Sequence, residues 1–175
     1  MATPALWIRV GLLCVAATIG AGCAARGPRP ISHPDAAAPG TVPDTSAWTY
    51  EIVSTALDLQ GRPYRDGGET LEGFDCSGFT RYVFGQHGIH LPRRAADQYE
   101  SGTPIEQEAL APGDLVFFTT VAPGASHVGV STGDGRFVHA PNQRGRVRVE
   151  QLGTEYWKRR YVGARRVVGE NPSRR

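Results

Sequence analysis

Gly73-Phe74-Asp75-Cys76-Ser77-Gly78-Phe79 places a lone cysteine where a loop gives way to a helix. Asp75 suits an N-cap, because its carboxylate accepts hydrogen bonds from the free amides of the first turn. Cys76 then takes the first helical position. Phe79, Tyr82, Val83 and Phe84 follow at helical spacing, and Gly88 closes the segment. A thiol at a helix N-terminus feels the positive end of the dipole, which favours the nucleophilic thiolate. What this thiol can do depends on whether another segment supplies a base for it.

The chain has 175 residues, 40% of them hydrophobic, enough for one domain with a real core. A formal net charge of +2 is too small to point to a nucleic-acid partner. The cysteines are Cys14, Cys23 and Cys76. If the N-terminal stretch is processed, Cys76 is the only free thiol left and no intrachain disulfide can form. An unpaired cysteine in a secreted domain is exposed to oxidation, which argues that the thiol has a task.

Residues 1–23 read as a signal peptide: Arg9 precedes a short apolar run, Val10 to Gly22, that ends at Cys23. The run is shorter than the roughly 20 residues a spanning helix needs. Small residues before Cys23 resemble a bacterial lipobox, although Gly20 stands where a large aliphatic residue is usual. Lipidation at Cys23 is therefore one reading, and ordinary cleavage near Ala25 the other. Both take the domain out of the cytoplasm. An anchored protein would sit on the periplasmic face of a bacterial membrane. Ala24 lacks the aspartate that signals inner-membrane retention in some bacteria, which favours the outer membrane of a Gram-negative cell. Residues 24–44 carry five prolines between Pro28 and Pro43 and read as a flexible linker.

The folded domain is expected over residues 45–169, with a disordered tail at 170–175. A first helix runs from the Asp44-Thr45-Ser46 cluster to about Gln60, with Tyr50, Val53 and Leu57 on one face. The cysteine helix follows, then a short helix over Arg94–Glu100. The second half reads as strands: Leu115–Phe118, His127–Val130, Arg136–His139, Arg146–Val149 and Tyr161–Val168, with a hairpin turn at Gly133-Asp134-Gly135. Helices followed by antiparallel strands make an α+β domain, expected to act as a monomer.

His33 lies in the linker. His87 and His90 lie some 15–20 Å along the chain from Cys76 at ~1.5 Å per helical residue. That leaves His127 and His139, on two strands joined by the tight turn. If both face the cysteine helix, the order is thiol, imidazole, second imidazole, a nucleophile with its base and orienter. In that arrangement activity rises as the thiolate–imidazolium pair forms and falls when His127 loses its proton. The Cys76 amide and the Tyr64 hydroxyl are candidate oxyanion donors. Two plainer readings stay open: Cys76 as a small core residue, and Cys76, His127 and His139 as a zinc site with an open position. The thiol reading needs no cofactor.

Several stretches together resemble the NlpC/P60 family of papain-like cell-wall cysteine peptidases. They are Gly61–Tyr64, Gly73–Phe79, Leu91-Pro92-Arg93, Gln98, Pro112–Phe118, Ser126–Gly129 and Gly133–Ala140, spread over residues 46–168. The resemblance implies a helix bearing Cys76 packed on an antiparallel sheet. It also implies Cys76 as nucleophile, His127 as base, His139 as third polar residue and Tyr64 lining the site. Asp75 and Ser77 match positions near the substrate's amino group, and Arg93 matches the arginine of the Leu-Pro-Arg signature. Arg94-Ala95 depart from the Thr-Ser of many relatives. The implied partner is peptidoglycan, cut at the γ-D-glutamate–diaminopimelate bond or the D-alanine–diaminopimelate cross-link. Arg93, Arg94, Arg144, Arg146 and Arg148 are candidates to attract its carboxylates. A wall-binding lipoprotein without catalysis is the alternative on the same fold.

Overall fold

The computed structural model describes residues 45–142 and 144–167. The expected signal segment with Cys23, the linker with His33, and the tail at 170–175 lie outside the described residues. Among the described residues no helix is long and apolar enough to cross a membrane.

Helix α1 spans Thr45–Asp58. Its buried side is Ile52, Val53 and Ala56, continued by Leu59 just past its end; of the expected Tyr50–Val53–Leu57 stripe, Val53 is buried, Leu57 is half-buried against the core, and Tyr50 is 64% exposed. The i, i+4, i+7 spacing of Ile52, Ala56 and Leu59 sets the apolar side, and the small Ala56 lets α1 lie close to its neighbour. A two-stranded ribbon, β1 (Glu69–Thr70) and β2 (Gly73–Phe74), leads into helix α2 (Cys76–Gly85). Past α2 the chain turns at Gly88 (φ 75°), with bonds from the Gly88 amide to the Gly85 carbonyl and from the Ile89 amide to the Phe84 carbonyl. This is a Schellman closure, which needs a residue that tolerates positive φ. The short helix α3 spans Ala95–Tyr99.

Six strands form one sheet: β3 (Thr103–Ile105), β4 (Leu115–Phe118), β5 (His127–Ser131), β6 (Arg136–His139), β7 (Arg148–Gln151) and β8 (Tyr161–Arg166), in the order β3-β8-β4-β5-β6-β7. Every neighbouring pair is antiparallel, so the domain is α+β as expected. Strand β3 and the one-turn helix α4 (Glu155–Lys158) have no counterpart in the sequence reading. Pro104 cannot donate to a ladder, and β3 accordingly sits at the sheet edge. Strand β7 begins two residues later than expected. Arg146 and Val147 instead pair with the 61–63 segment, through Gly61 amide to Val147 carbonyl (2.9 Å) and Val147 amide to Arg62 carbonyl (2.8 Å).

Strands β4 and β5 are buried throughout because both faces of the sheet are covered. Alternation sorts their side chains. Leu115, Phe117, Val128, Val130, Val138 and Ala140 join Phe74, Phe79 and Phe84 in the main core with α1 and α2. Val116, Phe118 and Phe137 face the other way, into a second apolar layer with Leu152, Ala164 and Trp157 of α4. Each fully buried phenylalanine contributes about 1.5–3 kcal/mol of transfer free energy.

Candidate active site

The loop before α2 closes on the first turn of that helix. The Asp75 amide bonds the Gly68 carbonyl (3.1 Å), and the Gly67 amide bonds the Asp75 carboxylate (3.0 Å). A Cβ at Gly78 would stand 2.0 Å from the Gly68 carbonyl oxygen, so glycine two residues after Cys76 is what lets the loop lie against the helix. Asp75 is the expected N-cap: its Oδ1 accepts from the Gly78 amide at 2.7 Å.

The Asp75 carboxylate also accepts from the Ser77 hydroxyl (3.3 Å) and from both terminal nitrogens of Arg93. Arg93 further donates to Ser77 Oγ (2.9 Å) and pairs through Nε with Glu69 (2.5 Å). Arg93 thus ties the Leu-Pro-Arg segment to the cap of the cysteine helix. Buried Gln98 makes a second tie: its amide nitrogen donates to the Ser77 and Pro92 carbonyls, and its oxygen accepts from Thr80. A groove of about 550 Å³ opens beside the cap, lined by Tyr64, Asp75, Cys76, Ser77, Arg93 and Ser126 among others. Of the five arginines expected to draw carboxylates, Arg93 and Arg94 line it. Arg94 is paired with Asp97, Arg146 bonds the Gly61 carbonyl, and Arg148 pairs with Glu150.

Tyr64 reaches the groove because the 61–64 segment is pinned to the 145–147 segment, with its own amide on the Gly145 carbonyl (3.0 Å). Burial, aided by Cys76, Asp66 and Asp75, pushes its hydroxyl up to about 12, so it remains a proton donor at neutral pH.

His127 opens β5 and His139 closes β6, and both are buried. The β5–β6 ladder pairs Val130 with Val138 and Ser131 with Phe137. Continued by one step, that register sets His139 opposite Gly129 and diagonal to His127. A Cβ at Gly129 would meet His139 Cβ at 3.1 Å and the Phe137 ring at 2.6 Å, so the missing side chain makes room for them. His127 Nε2 lies 2.7 Å from His139 Nδ1. The expected neighbourhood of the two rings is therefore present. Both rings pack on Trp157, and His127 also on Phe118, while Val128, the next residue along β5, packs with α2; His127 thus stands at the strand end that Cys76 meets. Cys76 meets β5 at its end, where the Val128 backbone, one residue past His127, hydrogen-bonds the sulfur.

The electrostatics correct one expectation. Burial pushes the Cys76 thiol up to about 11, and the adjacent Asp75 carboxylate adds to the rise. Hydrogen bonds from the backbone of Val128, Ser77 and Cys76 oppose this without cancelling it. His127 is pushed down to about 3, first by burial and then by His139. Both groups are neutral at neutral pH, because the cost of burying charge outweighs the field of one helix terminus.

Two residues missed in the sequence complete the cluster. Trp157 stacks on His127 (centroids 5.6 Å apart, planes 19° off parallel) and meets His139 edge-on. Its indole N–H donates to Glu150, which also pairs with Arg148. Glu150 Oε1 stands 3.7 Å from His139 Nε2, an electrostatic contact longer than a hydrogen bond. Only the register of β6 on β7, with Phe137 opposite Glu150 and His139 opposite Arg148, brings this carboxylate to the His139 side. Among the described residues no group of three or more His, Cys, Asp or Glu is placed to hold a metal ion, so the zinc arrangement does not form.

The NlpC/P60 family model matches residues 61–166. The gamma-DL-glutamyl hydrolase of Bacillus subtilis is 42% identical over 125 residues, which cover 68% of this chain and 30% of that protein. The murein DD-endopeptidase MepS/murein LD-carboxypeptidase of Escherichia coli is 40% identical over 121 residues, 69% of this chain and 63% of that one. The chain thus spans less than two thirds of the length of these relatives. The crystal structure of an NlpC/P60 family protein from Bacillus cereus superposes with a TM-score of 0.65 at 35% identity, covering 69% of this chain and 40% of that one.

Proposed function

Since the chain belongs to the NlpC/P60 family, we propose that it is a peptidoglycan endopeptidase that cleaves a stem-peptide or cross-link amide with the Cys76 thiol. The observation that carries this reading is the junction at the end of β5. The thiol at the start of α2 meets the Val128 backbone, and His127 beside it is bonded to His139. With its proton on Nε2, donated to His139 Nδ1, the His127 ring keeps Nδ1 as a base.

The pair starts neutral. As Sγ attacks the amide carbonyl carbon, its proton passes to His127 Nδ1, and the carbonyl electrons move onto oxygen. The Cys76 amide at the helix start and the Tyr64 hydroxyl, turning from Asp66 at rest to the oxyanion, are the donors to it. Collapse expels the amine, which takes the proton from His127, and leaves a thioester. Water then adds, with His127 taking its proton, and the acid leaves as the thiol is restored. Because His127 stays unprotonated well below the usual imidazole range, the acid limb of kcat/KM falls below pH 6.5. Arg93, Asp75 and Ser77 are committed to one another, so they hold the groove's shape at the cap.

Residues 1–23 as an export signal, Cys23 as the lipid anchor and 24–44 as its tether complete the reading. It places the domain at the cell wall. The N-terminal run ending in Cys23 supports the anchor. The test is digestion of purified sacculi by the wild-type protein and by Cys76→Ala, with products read by mass spectrometry. New muropeptides with the wild type alone are expected, and their masses choose between the two bonds. Identical profiles would overturn the reading in favour of a wall-binding protein.

A further inference from the structure

His139 Nε2 is buried and has no hydrogen-bond partner. The nearest charge is Glu150 Oε1 at 3.7 Å. That carboxylate is not a loose surface group. The indole N–H of Trp157 holds Oε2, Arg148 holds Oε1, and its side chain is 24% exposed. The same Trp157 ring stacks on His127. One carboxylate therefore stands behind the third residue of the cluster and, through the indole, behind the plane of the second.

From this arrangement we propose that Glu150 is a positioning residue that selects the His139 tautomer and thereby the tautomer of His127. The proposal rests on the reading of His127 as the base. Two proton arrangements are open to the His127–His139 hydrogen bond. In one, His139 carries its proton on Nε2, its Nδ1 accepts from His127 Nε2–H, and His127 Nδ1 is left with a lone pair. In the other, His139 carries its proton on Nδ1 and donates it to His127 Nε2. The His127 proton then sits on Nδ1, and the ring has no lone pair left for the thiol. The two forms differ in what His139 Nε2 shows to Glu150: an N–H in the first, a lone pair facing a carboxylate in the second. The charge favours the first form, and in a buried site the preference is strong. It needs no proton transfer to Glu150, whose carboxyl is held down to about 2, first by the His139 ring, then by Trp157 and Arg148. The same charge draws the pKa of both rings upward against their burial, which eases the imidazolium that forms during attack.

Glutamine at position 150 keeps the shape and discards the preference, since its amide presents either an acceptor or a donor. The experiment is 15N NMR of the histidine side chains in the full chain, wild type, Glu150→Gln and Glu150→Asp, beside kcat and KM on sacculus-derived peptides and a melting curve for each. The wild type is expected to show His139 protonated on Nε2 alone. Glu150→Gln is expected to show a mixture with the Nδ1–H form and a fall in kcat of at least about tenfold, with KM unchanged. Glu150→Asp is expected to restore the Nε2–H form and part of kcat. A purely structural glutamate would lower the melting temperature and leave the tautomer alone. Wild-type His139 protonated on Nδ1, or an unchanged Nε2–H form in folded Glu150→Gln, overturns the proposal. If Glu150→Gln does not fold, the wild-type tautomer and the aspartate variant decide. An absence of cleavage by the wild type would sink the endopeptidase reading while leaving the tautomer measurement to judge Glu150.

Discussion

Lowering the pH from 7 to 5 loads protons onto His127 in the unfolded chain before the folded chain accepts them. The ring titrates near 6.5 when solvated and is pushed down to about 3 when folded, chiefly by burial. Stability is therefore complete above the unfolded value and is lost progressively as the pH falls from 6.5 toward 3. At pH 5 roughly 97% of unfolded His127 is protonated against roughly 1% of folded, which costs about 2 kcal/mol relative to pH 7. The figure is insensitive to the folded value: raising that to about 4 leaves the loss near 2 kcal/mol, because the unfolded state sets it. His139, lowered in the same direction by burial, adds a loss of the same sign. With an m-value of roughly 2 kcal/mol per molar urea, the midpoint should drop by about 1 M or more between the two pH values. The assay is urea unfolding at both pH values for the wild type, His127→Gln and the His127→Gln/His139→Gln double variant, each compared only with itself at pH 7. The drop should shrink in the single variant and nearly vanish in the double. A wild-type midpoint that does not move, or an equal drop in the double variant, would refute burial of two neutral imidazoles.

A thiol raised from 9.0 to about 11 holds roughly 100-fold less thiolate at pH 7 than a free cysteine. Its greater nucleophilicity returns about tenfold of that, so iodoacetamide should modify Cys76 roughly 10-fold more slowly than free cysteine. Equal or faster alkylation would restore the thiolate–imidazolium pair. Gly78→Ala forces a Cβ onto the Gly68 carbonyl and should cost about 2–4 kcal/mol in chemical denaturation. A loss under 0.5 kcal/mol would mean the loop can lift off α2. Arg93→Gln removes the guanidinium that bridges Asp75, Ser77 and Glu69, and should destabilise by about 1–3 kcal/mol while leaving the Cys76 alkylation rate within a few-fold. A large change in that rate with stability intact would assign Arg93 to the thiol instead.

The cap at Asp75, the start of α2 at Cys76, the turn at Gly88 and the strands Leu115–Phe118, His127–Val130 and Arg136–His139 were readable from the chain alone. Each is a local matter of capping, turn chemistry or an unbroken apolar run. So were the histidine pair, which a tight turn brings together, and the α+β class. Arg93 was visible as part of a motif, but its partners were not, since Asp75 and Glu69 reach it only once the Leu-Pro-Arg segment folds back on α2. Of the stripe assigned to α1, Val53 is buried and Leu57 half-buried against the core, but Tyr50 is exposed, because only the packed neighbour selects how far the buried side extends. Glu150 and Trp157 gave no local signal at all, since a glutamate in a strand and a tryptophan in a one-turn helix are ordinary alone.

The sequence by itself determined where a thiol meets a helix start, which two imidazoles a hairpin joins, and the family to which those motifs point. Tertiary structure alone decided on which side of the sheet the imidazoles lie, what stands behind them and which charges the site holds at rest. Strand register and burial are properties of the assembled sheet. A one-residue slip in β6 on β7 would carry Glu150 to the far face, and without the layer around Trp157 both histidines would titrate as they do in water.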